Sequence, residues 1–136
     1  RDEQFRDQLA AVDPDFIVIA DYGKMVPDQI INLPRHATLN IHPSLLPRHR
    51  GASPIPYTIL SGDTVSGVTI IGLTSEMDAG PVYARTTYRL GEQDTSESLS
   101  DLLADISAPL LVDTVRRIAE EGLKPQEQET KKFFSP

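Results

Sequence analysis

At 136 residues the chain has the length for one compact domain and not for two full ones. With 39% apolar and 24% charged residues it has an ordinary globular composition. No apolar run approaches the roughly 20 residues of a bilayer span, so no membrane segment is expected. The chain contains no cysteine, which excludes disulfide frameworks, thiolate nucleophiles and Cys-ligated zinc. Its net charge of −7 argues against a globally basic nucleic-acid binder and leaves room for a local basic patch.

Arg1 opens directly into a helical pattern, with Phe5, Leu9 and Val12 at i, i+4 and i+7. A chain that begins inside a pattern reads as a piece of something longer. No Lys/Arg-flanked apolar leader is visible, so the expectation is an unsecreted, cytoplasmic protein. Residues 16–20 (Phe-Ile-Val-Ile-Ala) form an unbroken apolar run, which suits a strand covered on both faces in a parallel sheet. A loop at Asp21-Tyr22-Gly23 precedes a short helix over 27–32 that ends before Pro34. Residues 37–41 read as a second strand, followed by a proline-punctuated loop from Pro43 to Pro54 and a helix over 55–60 stopped by Gly62. Eleven prolines against eight glycines predict stiff, shaped loops of this kind.

Residues 68–73 give a third strand and 82–90 a fourth. In the fourth, Val82, Ala84, Thr86, Tyr88 and Leu90 alternate with Tyr83, Arg85, Thr87 and Arg89, which marks an antiparallel or edge strand with one solvated face. The longest helix starts where Asp94 stands three residues before Glu97, a capping arrangement. Its apolar stripe runs through Leu99, Leu102, Leu103, Ile106, Leu110, Leu111, Val115 and Ile118 to a stop at Gly122, with Pro109 expected to kink or break it. The order of elements is α/β.

Of the three histidines, His36, His42 and His49, the spacings of 6 and 7 through loop are not metal-ligand spacings, so no metal is expected. Asn40 and His42 stand at i and i+2 where a strand runs out, which projects both side chains to one side. Sites of open α/β sheets lie at such strand ends. An amide donor beside a protonated imidazole suits a developing oxyanion. Asp78, in Glu76-Met77-Asp78-Ala79-Gly80, is by itself an ordinary turn aspartate. If it reaches His42, it would favour the charged imidazole and fix the ring. Arg48-His49-Arg50-Gly51 is a basic cluster suited equally to solvation or to a phosphate.

Taken together, Asn40-Ile41-His42-Pro43-Ser44-Leu45-Leu46-Pro47, Arg50-Gly51, Gly67-Val68-Thr69-Ile70 and Met77-Asp78-Ala79-Gly80 resemble the folate-dependent formyltransferases. Tyr22-Gly23-Lys24, Arg50-Gly51-Ala52-Ser53-Pro54-Ile55, Ser61-Gly62-Asp63 and Asp94-Thr95-Ser96 are most similar to the branch that formylates methionyl-tRNA. Asp21 and Pro56 depart from that branch at positions that bear on substrate detail rather than on the chemistry.

The resemblance implies part of a Rossmann-like formyltransferase fold, a mostly parallel sheet with an antiparallel edge strand. Residues 1–126 would be the C-terminal portion of the catalytic domain and 127–136 a linker or tail. It implies catalytic roles for Asn40, His42 and Asp78, and folate binding by Tyr22, Gly23, Lys24, Val26, Leu73, Glu76 and Met77. Ser44, Leu45, Leu46, Pro47, Arg48 and Arg50 would bind the acceptor. The implied co-substrate is 10-formyltetrahydrofolate, without a metal, and the implied partner is initiator methionyl-tRNA bound by a monomer. A small phosphorylated amine or an amino-sugar nucleotide is the alternative acceptor, and an inactive binding module the alternative class. Part of the sheet that the family places before this sequence is absent, so little or no turnover is expected of these residues alone.

Overall fold

The computed structural model describes residues 2–20 and 25–129. Its elements are α1 (Asp2–Val12), β1 (Phe16–Ala20), α2 (Asp28–Ile31), β2 (Ala37–His42), α3 (Pro54–Leu60), β3 (Val65–Gly72), β4 (Val82–Arg89) and α4 (Ser96–Glu121). These follow the order read from the sequence, with β3 starting three residues before Val68.

The strands form one sheet in the order β1-β2-β3-β4. The β1·β2 pair is parallel, while β3 pairs antiparallel with both β2 and β4. The antiparallel part therefore reaches one strand further in than the edge. Ser66 through Ile71 are all buried. The unbroken apolar run at 16–20 does form a parallel strand, but β1 lies at the sheet edge with Val18 42% exposed. Coverage on both faces falls instead to the mixed sequence of β3.

Alternation along β2 divides the molecule. Leu39 and Ile41 enter the core on one face, joined there by Val68, Ile70 and the α4 residues Leu99, Leu103, Leu110, Val115 and Ile118. Thr38, Asn40 and His42 take the opposite parity. Tyr83, which strict alternation places on the solvated face, packs against this core. The register slips between Ile70 and Ile71, where a bulge turns Tyr83 inward.

Helix α4 is continuous through Pro109. An interior proline costs about 3 kcal/mol, but Ile106 before it and Leu110 and Leu111 after it pack on the core. A fully buried side chain of this kind contributes about 1.5–3 kcal/mol, so these three partly buried ones together offset the lost bond. The N-cap is Thr95, in a reciprocal capping box with Ser98, one residue later than the Asp94–Glu97 spacing predicts. Asp94 is occupied elsewhere, accepting from Gly91 N, Tyr88 Oη and Ser98 Oγ. Gly122 closes the helix at φ 67, a left-handed conformation suited to glycine.

Beyond it, Gln126 and Val82 exchange two main-chain hydrogen bonds of 2.7 and 2.8 Å. Residues 126–128 are part of the folded body here, because a strand edge and a loop carbonyl pair are there to receive them. Only 130–136 of the expected linker lies outside the described residues.

Candidate active site

Residues 43–53 leave the end of β2 and cover the second face of the sheet. Thr69 Oγ1 donates to Ser44 O (2.7 Å) and accepts from Leu46 N (3.1 Å), while Arg85 Nη2 donates to Leu46 O (3.0 Å). Ser44 Oγ donates to Arg48 O at 2.7 Å. The loop returns to His42, whose Nε2–H donates to the His49 carbonyl at 2.9 Å. His49 stands at φ 58, and its own Nε2–H donates to Asp63 Oδ2 at 2.7 Å. Arg48 grips the same carboxylate with both ends of its fork, at 3.0 and 2.6 Å. The Arg48 hydrogen bonds, and then that of His49, hold the Asp63 carboxyl below its ordinary value against the opposing effect of burial; the pairing raises Arg48 in turn.

Asp78 arrives by a different route from the one its sequence position suggests. Because β3 is antiparallel, the chain leaves it level with Leu39, and Leu73 N donates to Thr38 O at 2.9 Å. Residues 73–81 then fold back across the Asn40/His42 face. This brings Asp78 Oδ1 to 3.5 Å from His42 Nδ1, with both side chains almost fully buried. Asp78 Oδ2 accepts from Gly51 N at 2.8 Å. The glycine two residues on is a steric requirement: a Cβ on Gly80 would lie 1.7 Å from Gly72 O.

These loops enclose a cavity of about 240 Å³. Asn40, His42 and Asp78 supply its polar wall, and Ile19, Val26, Leu73 and Met77 supply apolar wall. The spatial convergence expected of residues 40, 42 and 78 is therefore present. The His49 carbonyl can only accept, so it commits Nε2 of His42 as a donor. Nδ1 is then the nitrogen that faces Asp78 and the cavity. It is a base when the ring is neutral and a donor when the ring is charged.

The other expected positions divide. Val26, Leu73 and Met77 line the cavity, and Glu76 does not. Tyr22, Gly23 and Lys24 lie outside the described residues. Ser44, Leu45, Leu46 and Pro47, expected to meet an acceptor, do not line the cavity. Ser44 and Leu46 are buried in the loop's own hydrogen bonds, and Leu45 packs over Gly67. Arg48 is engaged by Asp63, and Arg50 Nη2 donates to Gln128 Oε1 at 2.9 Å. Sequence reasoning missed Ile19, Gly51, Ala52 and Pro54 in the cavity wall. Gly51 was at hand in the Arg50-Gly51 motif. The others carry no chemical signal of their own.

A cavity at the end of a parallel strand pair, walled by an amide, an imidazole and a carboxylate, defines an α/β enzyme-like site. Residues 1–115 match the family model described as Formyl transferase, and the chain belongs to that family. It is 30% identical to the methionyl-tRNA formyltransferase of Thermodesulfovibrio yellowstonii over 136 residues, covering 100% of this chain and 44% of that protein. It is 44% identical to that of Dehalococcoides mccartyi over 110 residues, 81% of this chain and 35% of that one. The chain thus spans less than half the length of these relatives. Among solved structures it is similar to phosphoribosylglycinamide formyltransferase from Bacillus halodurans, with TM-score 0.80 and 30% identity over 89% of this chain and 62% of that one. HypX from Aquifex aeolicus, in complex with tetrahydrofolic acid, shares the fold at TM-score 0.82 and 21% identity, over 96% of this chain and 23% of that one.

Proposed function

We propose that the protein to which this chain belongs transfers a formyl group from 10-formyltetrahydrofolate to an amine, and that the amine is that of methionyl-tRNA. The observation that carries the chemistry is the convergence of Asn40, His42 and Asp78 on one small cavity. HypX, which shares this fold over part of its length, is solved in complex with tetrahydrofolic acid, and that supports a folate donor. The names of the relatives at 30% and 44% identity support the tRNA acceptor. Residues 1–126 serve as the C-terminal portion of the catalytic domain, with Gln128 packed against it.

In this reading the acceptor nitrogen attacks the formyl carbon. The C–O electron pair moves onto oxygen, where the Asn40 amide and the Nδ1–H of a charged His42 meet it. Asp78 stabilises the positive charge of the imidazole. Collapse of the tetrahedral adduct breaks the bond to N10 of the folate. The charged His42 gives its Nδ1 proton to N10 and, once neutral, takes a proton from the attacking amine, so that tetrahydrofolate leaves and the imidazolium is restored. Val26, Leu73 and Met77 contact the folate from the apolar wall.

The test is tetrahydrofolate release by the whole protein, supplied with 10-formyltetrahydrofolate and either methionyl-tRNA or a small phosphorylated amine. Release with methionyl-tRNA, and RNA binding that weakens steeply with salt, are the expected results. Turnover only with the small amine would replace the acceptor, and none with any amine would end the reading.

A further inference from the structure

We propose that Gln128 is a positioning residue that sets the place of Asp78, a role that rests on the formyl-transfer reading of the same site. Its amide nitrogen donates to Asp78 O at 2.8 Å and to Gly80 O at 2.7 Å, and its amide oxygen accepts from Arg50 Nη2 at 2.9 Å. Two carbonyls that only accept and a guanidinium that only donates leave the amide a single orientation. Both of its N–H groups are used.

Asp78 stands at φ 52, a left-handed conformation that aspartate adopts more readily than most non-glycine residues and that contacts to its main chain help to hold. Besides His42 and the turn closed by Ala79 N on Glu76 O, two contacts hold it: Gln128 donates to the Asp78 main-chain oxygen, and Gly51 N donates to the carboxylate. Gly51 follows Arg50, so one amide closes a ring of contacts through Arg50, Gln128, Asp78 and Gly51 that ties loop 43–53 to loop 73–81. Gln128 is itself anchored by the Gln126–Val82 bridge two residues earlier. The side chains of Glu76 and Met77, on the approach to Asp78, are exposed. Loss of the clamp leaves the turn and the Gly51 contact alone to hold Asp78 at 3.5 Å from His42.

The experiment uses Gln128→Leu and Gln128→Glu in the whole protein. The first removes every polar contact; the second keeps the acceptor for Arg50 and removes both donors. Both variants should lose about tenfold to a hundredfold in kcat while KM for 10-formyltetrahydrofolate moves less than about twofold, as expected for a misplaced group that does not bind the donor. The Gly51 amide should exchange with solvent about tenfold faster in each, because its acceptor has lost its place. Glu127→Ala, an exposed neighbour, serves as control and should match the wild type.

Unchanged kcat in either variant, unchanged Gly51 exchange, or a loss confined to KM would overturn the proposal. If the wild type transfers no formyl group at all, the function proposed above falls instead. The Gly51 exchange then still decides whether the clamp exists.

Discussion

Two histidine–aspartate pairs meet in this molecule, and one main-chain oxygen joins them. His49–Asp63 is tight at 2.7 Å, and the carboxylate is also held at both oxygens by Arg48. His42–Asp78 is looser at 3.5 Å and opens on a cavity. In the first pair the carboxylate is saturated with donors, so the pair serves to hold the His49 backbone. In the second pair His42 Nε2 is spent on the His49 carbonyl, and Nδ1 is left to be shared between Asp78 and a guest. The difference teaches that saturation distinguishes scaffold from site: the same two residue types build both.

Breaking the loose pair carries the largest expected effect. Asp78→Asn keeps the shape and an acceptor for Gly51 N but removes the charge that faces the imidazole. Turnover in the whole protein should fall by about 10²–10⁴, with melting temperature nearly unchanged. A steady-state rate within a few-fold of wild type would strip Asp78 of its part in the chemistry. Asn40→Ala comes next. Losing one oxyanion donor costs about 10²–10³ in rate, and folate affinity measured by titration should stay close to that of the wild type. Near-normal turnover would remove Asn40 from the mechanism.

How far the two pairs were legible in the sequence follows from the same contrast. Asn40 and His42 were legible because i and i+2 on a strand share a face whatever the rest of the chain does. Asp78 was legible through its motif, but not its route, since the mixed sequence of residues 66–71 carries no record of strand direction. The partners of the tight pair were hidden. Arg48 read equally as a phosphate contact or as a solvated cation, because nothing local says that Asp63, 15 residues on, closes on it. The His49 carbonyl and the Gln128 clamp act on or through main-chain atoms, which every residue possesses and no motif records. The helix at 96–121 and its stop at Gly122 were legible because stripe and cap are local. The Asp94 cap was displaced by one residue because Tyr88, on a neighbouring strand, competes for the carboxylate.

Breaking the tight pair should move stability more than rate. Asp63→Asn removes charge-assisted hydrogen bonds to Arg48 and His49, worth about 2 kcal/mol together in a mostly buried carboxylate. Turnover should drop by less than about tenfold, through the displaced His49 carbonyl. The pH dependence has a definite sign. The folded carboxyl lies below its ordinary value of 3.8, so the unfolded chain binds the proton first as pH falls. The extra stability of the wild type over Asp63→Asn is therefore whole at neutral pH. It starts to shrink near pH 4 and is gone once the folded carboxyl has titrated below that. Denaturant melts of both proteins across this range would show it, and a gap constant with pH would contradict the charge-assisted account.

Arg48→Gln is the mildest break and the one that separates scaffold from acceptor contact. The Arg48 side chain is 49% exposed, against 12% for Asp63, so solvent screens the pair from one side. The stability cost should stay near or below about 1 kcal/mol, the range of exposed pairs. If Arg48 also met a phosphate of the RNA, its loss would reduce the salt slope of RNA binding by about one counterion. The grip on Asp63 engages Nε and Nη2 and sets where the guanidinium sits, so an Arg48 that acts as scaffold leaves that slope unchanged. A flatter salt dependence in Arg48→Gln would show that RNA binding draws Arg48 away from Asp63. The tight pair would then be a feature of the unbound protein alone.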